Sequence, residues 1–148
     1  MTWAYPQDTN IEWLEQLYDG KQGIMYQSIV SAVTEKIVPD KEFSYMMPSG
    51  TAIQNANATL TDDDLYRDNQ HLSDFGGLIA SYTWYCVLEN KTLEDIQLTT
   101  IPATLRRLSA DRTTDLTINS NQISVLVKAV NDAIENYAST TDTSVYED

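Results

Sequence analysis

The 148-residue chain contains little cysteine, proline or glycine, and each shortage excludes a class of protein. Its single cysteine, Cys86, allows neither an internal disulfide nor a cysteine-based metal motif. Four prolines and five glycines exclude a collagen-like or low-complexity chain. Cys86 lies in an apolar run, Ala80–Leu88, and is predicted to be a buried structural thiol. Cysteine usage therefore leaves the compartment open.

Basic residues are also scarce, with nine against 22 acidic residues and a net charge of -13. Such a chain repels phosphate groups, so nucleic acid is not expected as a partner. No basic stripe suggests an anionic membrane surface, and no apolar run reaches the roughly 18 residues of a membrane span. The first residues also lack the charged and apolar regions of a signal peptide.

What the chain does contain is typical of a folded domain. Apolar residues make up 42% of it, enough for a core in a chain of this length. We expect a single domain over residues 1–138. The polar and acidic segment 139–148 is predicted to be a mobile tail.

Two short apolar and aromatic segments, Thr2–Tyr5 and Glu42–Met47, are predicted to be strands. The helix predicted between them, Lys21–Val38, favours a parallel pair joined by a crossover. Two strands make a thin sheet, and a buried strand at the very start of a chain is unusual. The pattern therefore suggests that part of the sheet lies outside this chain.

Apolar spacing and capping residues predict further helices. These are Ile11–Tyr18, Ala52–Ala58, Asp74–Leu88 and Ser120–Tyr137. Ser73 is the expected N-cap of the third of them. Thr92–Ile96 is predicted to form one helical turn, and Pro102 to begin a helix within Thr99–Leu108.

The only histidine, His71, follows Asp68 by three residues. Histidine is the side chain best suited to act as a base near neutral pH. A carboxylate on its Nδ1–H fixes the tautomer and favours the imidazolium. The spacing is therefore chemically sensible for a catalytic pair, although Asp-x-x-His is common by chance and a surface or capping histidine is the alternative.

The surroundings of this pair carry a family resemblance. The stretch from Met47 to Ala52 reads Met-Pro-Ser-Gly-Thr-Ala, and Arg67–Ser73 reads Arg-Asp-Asn-Gln-His-Leu-Ser. A helix with Trp84-Tyr85 follows. These motifs resemble the C-terminal part of an SGNH (GDSL-like) hydrolase of an uncharacterised bacterial branch, over roughly residues 1–100.

The resemblance implies an incomplete flavodoxin-like three-layer α/β/α sandwich, mostly helical with a small parallel sheet. It also implies hydrolysis of small-molecule or carbohydrate esters without a cofactor. His71 would be the general base and Asp68 its orienting carboxylate in a Ser-His-Asp triad. Arg67 would position the loop or touch substrate, or else form a salt bridge to Asp62–Asp64.

The chain departs from the family pattern in its nucleophile. It contains neither a Gly-Asp-Ser nor a Gly-x-Ser-x-Gly motif, and nothing recommends Ser49 as a nucleophile. Full catalysis needs both the triad and an oxyanion hole. We therefore expect a part of a serine esterase that supplies the Asp–His pair and is inactive alone. The alternative is a non-catalytic interaction or structural remnant.

The acidic loop before the histidine offers an alternative interpretation, a metal site. The candidate donors are Asp62, Asp64, Asp68 and His71. A calcium loop counted from Asp62 would need glycine and glutamate where Arg67 and Ser73 stand. Without a second histidine a transition metal is also poorly supported, so no metal is predicted.

A missing part of the sheet would leave apolar surface exposed, and such surface favours association. The chain is therefore expected to be a homo-oligomer with Thr2–Tyr5 at or near the contact. The tryptophans Trp3, Trp13 and Trp84 either line a sugar-binding surface or pack in a core or interface.

Overall fold

A computed structural model describes residues 1–7, 12–94, 96, 98–106 and 112–140, without the side chains of Asp62 and Asp63. The fold is mixed α/β and mostly helical. Its helices are α1 (Glu12–Tyr18), α2 (Gln22–Ala32), α3 (Ser49–Asn57), α4 (Asp62–Leu65), α5 (Asp74–Glu89) and α6 (Ser120–Glu135). A π-helical turn, Val33–Ile37, prolongs α2. Of the predicted mobile tail, 141–148 lie outside the described residues.

The sheet differs from the predicted one. It consists of β1 (Thr100–Ile101) and β2 (Leu116–Thr117), which pair antiparallel. The predicted parallel sheet of a flavodoxin-like sandwich is wrong for the described residues, since Thr2–Tyr5 and Glu42–Met47 are both irregular. Beside them, the Met1 amino group donates to the Met47 carbonyl at 2.8 Å. A ladder needs repeated exchange along both segments.

Two other local predictions were wrong for identifiable reasons. Pro102 follows β1 and begins a turn, in which the Leu105 amide donates to the Pro102 carbonyl at 2.8 Å. At 92–94 and 96 no helical turn forms. The side-chain amide of Asn131 bonds both the N–H and the C=O of Leu93, at 2.8 and 2.9 Å. A distant side chain therefore takes the backbone groups that a helix would have used.

The core is built around α3, whose nine residues are all buried. This helix packs between α5 and α6. Ala52 and Ala56 are fully buried, and side chains this small let the neighbouring helices approach closely. The core side chains of α5 and α6 meet it there. Across the described ranges, no helix is both long and apolar enough to cross a membrane.

Helix α5 confirms the prediction made from its capping residue. The Gly76 amide donates to the Ser73 hydroxyl at 3.0 Å, which satisfies one free N–H group of the first turn. The helix ends at Asn90, whose left-handed backbone (φ 52°) closes it. Cys86 on this helix is 1% exposed, as predicted, and its burial raises the pKa of the thiol.

A second, smaller core joins α1 and α2 to the first residues of the chain around Ala4, Leu14 and Tyr26. Polar contacts tie it to α3. Gln22 and Gln54 exchange two hydrogen bonds at 2.7 and 2.9 Å, and both side chains are buried. Each amide thereby satisfies the other in a dry environment.

A buried ion pair fastens the β1–β2 hairpin to α5. Arg106 Nε lies 3.0 Å from Asp74 Oδ2, with the two side chains only 10% and 3% exposed. Arg106 also donates to the Thr114 carbonyl at 2.8 Å. Sequence reasoning placed Asp74 in the first turn of its helix but missed the partner 32 residues away.

Replacement of Arg106 by methionine should destabilise the protein by about 3–5 kcal/mol, because it leaves the buried Asp74 carboxylate without its cation. The free energy of unfolding in urea is the measurement. Lys128→Met removes an exposed ion pair to Asp132 and should cost no more than about 1 kcal/mol. Equal losses of unfolding free energy in the two variants would contradict a larger contribution from the buried pair.

Candidate functional site

The predicted pair stands on a short exposed loop that is closed at its base. Tyr66 and Leu72 form an isolated antiparallel bridge. Inside it the Arg67 amide donates to the His71 carbonyl at 3.0 Å, and outside it the Ser73 amide donates to the Leu65 carbonyl at 2.8 Å. Residues 67–71 are thus held in a loop of defined shape, here called the histidine loop.

The base of the histidine loop is anchored in the core. Leu65, Tyr66 and Leu72 are all 5% exposed or less. The Tyr66 hydroxyl donates to the Ala4 carbonyl at 2.9 Å, which links the loop to the start of the chain. A Cβ atom added at Gly76 would lie 2.3 Å from the Leu65 carbonyl oxygen. The absence of a side chain there lets α5 lie directly against the loop base.

Asp68 and His71 meet as the sequence predicts. Nδ1 of His71 lies 3.0 Å from each carboxylate oxygen of Asp68. Oδ1 also accepts the backbone N–H groups of Gln70 and His71, at 2.9 and 2.8 Å. One carboxylate therefore shapes the loop and holds the imidazole ring.

These bonds lower the pKa of Asp68 to about 2, chiefly through the backbone amides of His71 and Gln70. The carboxylate is thus ionised at any physiological pH. With Nδ1–H directed to Asp68, the other ring nitrogen, Nε2, is available to accept a proton. It bonds to none of the described residues, and the His71 side chain is 58% exposed.

Arg67 flanks the pair on the Asp68 side. Its Nε lies 3.5 Å from Asp68 Oδ2, so the ion pair seen here is with Asp68. The Asp64 carboxylate instead accepts from Thr61 and from Gln122 of α6. The predicted alternative, a salt bridge to Asp62–Asp64, involves the side chains of Asp62 and Asp63, which lie outside the described part of the structure.

Of the donors considered for a metal ion, Asp64, Asp68 and His71 are described here, and the two carboxylates have different partners. Asp64 points its oxygens at Thr61 and Gln122, while Asp68 holds His71. Within the described part of the chain, no three residues of the histidine, cysteine, aspartate or glutamate type are grouped to hold a metal ion.

Beside the histidine loop lies a groove of about 640 Å³ that sequence reasoning missed. It runs between Trp3 and Trp84 and is lined also by Met1, Thr2, Ser49, Ala80 and Ser81. The indole N–H of Trp3 donates to the Gln70 carbonyl at 3.0 Å, next to His71. That of Trp84 donates to Ser49 Oγ at 2.9 Å. Only the tryptophan content of the sequence hinted at this surface.

The third tryptophan has a different role. Trp13 packs edge-on against Tyr5 and Tyr18, with ring centroids 5.1 and 6.3 Å away. Of the two interpretations of the tryptophans, this one is therefore core packing, whereas Trp3 and Trp84 face a groove.

The fold and the site together define a mostly helical α/β protein that presents an oriented Asp–His pair on an anchored loop. The chain belongs to the DUF4886 family (domain of unknown function), whose model matches residues 1–111. No curated protein matches it.

A solved relative shares the fold. The crystal structure of a DUF4886 family protein from Bacteroides uniformis ATCC 8492 is 26% identical, with a TM-score of 0.70. The match covers 98% of this chain and 50% of that protein. The chain therefore spans about half the length of this relative.

These comparisons correct the family predicted from the motifs. The segments around Met47–Ala52 and Arg67–Ser73 resembled an SGNH hydrolase, but the matching family is DUF4886 and nothing in the comparisons indicates an SGNH or GDSL-like hydrolase. That assignment was wrong. It extended a short local motif to a whole family, which four-residue patterns do not support.

The carboxyl group of Asp68 should titrate with a midpoint near pH 2 in the folded protein, against 3.8 for the free side chain. Because the folded pKa is depressed, the contribution of Asp68 to stability is complete above about pH 4 and is lost as the pH falls through 2. Carboxyl ¹³C shifts against pH test this. A midpoint at 3.8 would mean that the amide bonds are absent in solution.

Gly76→Ala should destabilise the protein by about 1–3 kcal/mol, because the new methyl group collides with the Leu65 carbonyl. Since that carbonyl closes the histidine loop, amide exchange of Ser73 should accelerate as well. Gly77→Ala, one position further along α5, should be neutral or stabilising by up to about 1 kcal/mol. Equal effects of both substitutions would contradict the close contact.

Proposed function

We propose that this chain carries the acid–base part of a hydrolytic site for carboxylic esters. His71 is the general base and Asp68 its orienting carboxylate. The observation that supports this is the 3.0 Å contact of His71 Nδ1 with both Asp68 oxygens, on an exposed and anchored loop. In a triad this contact orients the imidazole ring and leaves Nε2 accessible to the proton of the nucleophile.

In the proposed reaction a serine hydroxyl donates its proton to His71 Nε2 as its oxygen attacks the ester carbonyl carbon. The imidazolium formed is stabilised by the Asp68 carboxylate. When the tetrahedral intermediate collapses, Nε2 returns the proton to the departing alcohol oxygen. A water molecule then repeats the two steps on the acyl-enzyme, which releases the acid and regenerates the serine.

In this proposal the serine comes from outside the residues that the structure describes. Within the described ranges, no serine bonds His71 Nε2. Ser73 caps α5 and donates to the Asp64 carbonyl at 2.6 Å. Ser49 accepts from the Trp84 indole. Because the chain spans half the length of its Bacteroides relative, a larger protein has room for a nucleophile and an oxyanion hole.

The finer features of the prediction enter here as parts of the proposal. The substrate is a small-molecule or carbohydrate ester. A three-layer flavodoxin-like sandwich would arise only in the larger protein, if strands from its other part paired with the segments around Thr2–Tyr5 and Glu42–Met47. Arg67 acts as a positioning residue through its 3.5 Å contact with Asp68.

A non-catalytic interaction module is the second candidate, and one observation favours it. The side chains of Trp84, Tyr85 and Leu88 on α5 are 54%, 45% and 53% exposed. Large apolar side chains in such a state are typical of a contact surface. The two functions are separable, since an interaction module does not need the Asp68–His71 contact.

The chain alone should hydrolyse p-nitrophenyl acetate slowly, because an accessible imidazole attacks this activated ester without a serine. His71→Ala should reduce the rate to that of buffer. Asp68→Asn should reduce it roughly tenfold, far less than in a complete triad. The measurement is the release of p-nitrophenolate, followed by its visible absorbance.

Asp64→Asn is the matched control, since this carboxylate of α4 does not touch His71. The rate of this variant should equal that of the unmodified chain. A fluorophosphonate should leave all four proteins unlabelled. Hydrolysis that survives His71→Ala, or Asp68→Asn and Asp64→Asn rates that are equal, would contradict the proposed roles.

A further inference from the structure

The peptide unit between Gln70 and His71 is held at both of its ends. Its N–H group, which belongs to His71, donates to Asp68 Oδ1 at 2.8 Å. Its C=O group, which belongs to Gln70, accepts the indole N–H of Trp3 at 3.0 Å. A trans peptide is planar and its N–H and C=O groups point in opposite directions, so the two bonds together fix the orientation of the plane. The place of the His71 Cα follows from that plane.

The two bonds differ in where they come from. The Asp68 bond lies within the histidine loop, whereas Trp3 is 67 residues away from Gln70 along the chain. Bonds inside the loop set its shape, and a bond from a distant residue sets its placement on the rest of the protein. The neighbouring Ala4 carbonyl accepts the Tyr66 hydroxyl at 2.9 Å. Two adjacent residues therefore hold the loop at two points, one at its base and one beside the histidine.

Trp3 itself stands on a rigid support. Its ring is half-buried and packs against the main core, and Ala4, which follows it, is 1% exposed in the second core. The backbone before it lies directly against the start of α3. There the Gly50 amide donates to the Met1 carbonyl at 3.1 Å, and a Cβ atom added at Gly50 would lie 1.8 Å from the Thr2 carbonyl oxygen. A donor supported in this way can hold a loop in place.

An indole ring suits this task. It carries one N–H donor and no acceptor, and its two side-chain torsions leave little freedom to be lost on bonding. A carbonyl that accepts a hydrogen bond also polarises its peptide, which strengthens donation by the N–H group at the other end. The Trp3 bond should therefore strengthen the bond from the His71 amide to Asp68. The same carboxylate lies 3.0 Å from His71 Nδ1.

We propose that Trp3 is a positioning residue for His71. Through the Gln70 carbonyl it fixes the peptide that precedes the histidine, and it thereby keeps Nδ1–H directed to Asp68 and Nε2 accessible. It acts through that peptide, since its indole N–H is bonded to the carbonyl. The catalytic consequence of this placement rests on the proposed function, whereas the placement itself does not.

The test compares Trp3→Phe, which removes the donor, with Trp84→Phe. The control removes the other indole donor of the groove, which bonds Ser49 Oγ, and leaves the histidine loop alone. His71 is the only histidine, so its imidazole ¹⁵N signals report the tautomers of the neutral ring directly. In Trp3→Phe the ratio of the Nδ1–H to the Nε2–H tautomer should fall about two- to tenfold. Exchange of the His71 amide should accelerate about two- to tenfold as well. Trp84→Phe should change neither quantity.

A second variant separates the donor from the ring, because phenylalanine also fills less of the core than tryptophan. In the substitution Trp3→benzothienylalanine, a sulfur atom replaces the indole N–H and the bicyclic shape is kept. If the lost donor is the cause, this variant and Trp3→Phe shift the tautomer ratio alike. The proposal is overturned if the ratio in the benzothienylalanine variant equals that of the unmodified chain, or if Trp84→Phe shifts it as much.

Hydrolysis of p-nitrophenyl acetate separates the placement of His71 from its chemistry. The rate should fall together with the tautomer ratio in both Trp3 variants. A ratio that falls while the rate stays unchanged would support the positioning role and contradict the proposed role of His71 as the base. A rate that falls while the ratio and the His71 amide exchange stay unchanged would show that Trp3 does not act through the histidine, and the positioning role would be wrong.

Discussion

The close contact between α5 and the base of the histidine loop is the constraint on which the site depends. Gly76 leaves no room for a side chain against the Leu65 carbonyl. The same carbonyl accepts the Ser73 amide, and Ser73 in turn caps α5. The start of the helix and the closure of the loop are therefore one structure. The core under α5 fixes where His71 stands, although the histidine itself is exposed.

Asp68 combines two tasks that catalytic loops often divide between residues. Two backbone amides and the imidazole converge on its carboxylate. These bonds keep the group ionised, because they lower its pKa to about 2. The same carboxylate therefore holds both the backbone of the loop and the imidazole ring. The orientation of His71 is thus built into the fold of the loop.

The histidine loop stands on a stable support. Two features support the histidine loop. They are the buried ion pair of Asp74 and Arg106 and the packing of α3 against α5 and α6. On the adjacent side, Trp3 and Trp84 border the groove, and Trp84 is 54% exposed.

Local sequence determined much of this protein. Apolar periodicity and the Ser73 cap predicted α5, and the spacing of Asp68 and His71 predicted their contact, because both depend on residues within a few positions of each other. The sheet, the Asp74–Arg106 pair and the groove of Trp3 and Trp84 depended on segments 15 to 81 residues apart along the chain. The predicted strands at Thr2–Tyr5 and Glu42–Met47 did not form, since a strand needs a partner and local pattern does not supply one. Only the tertiary structure decided those contacts.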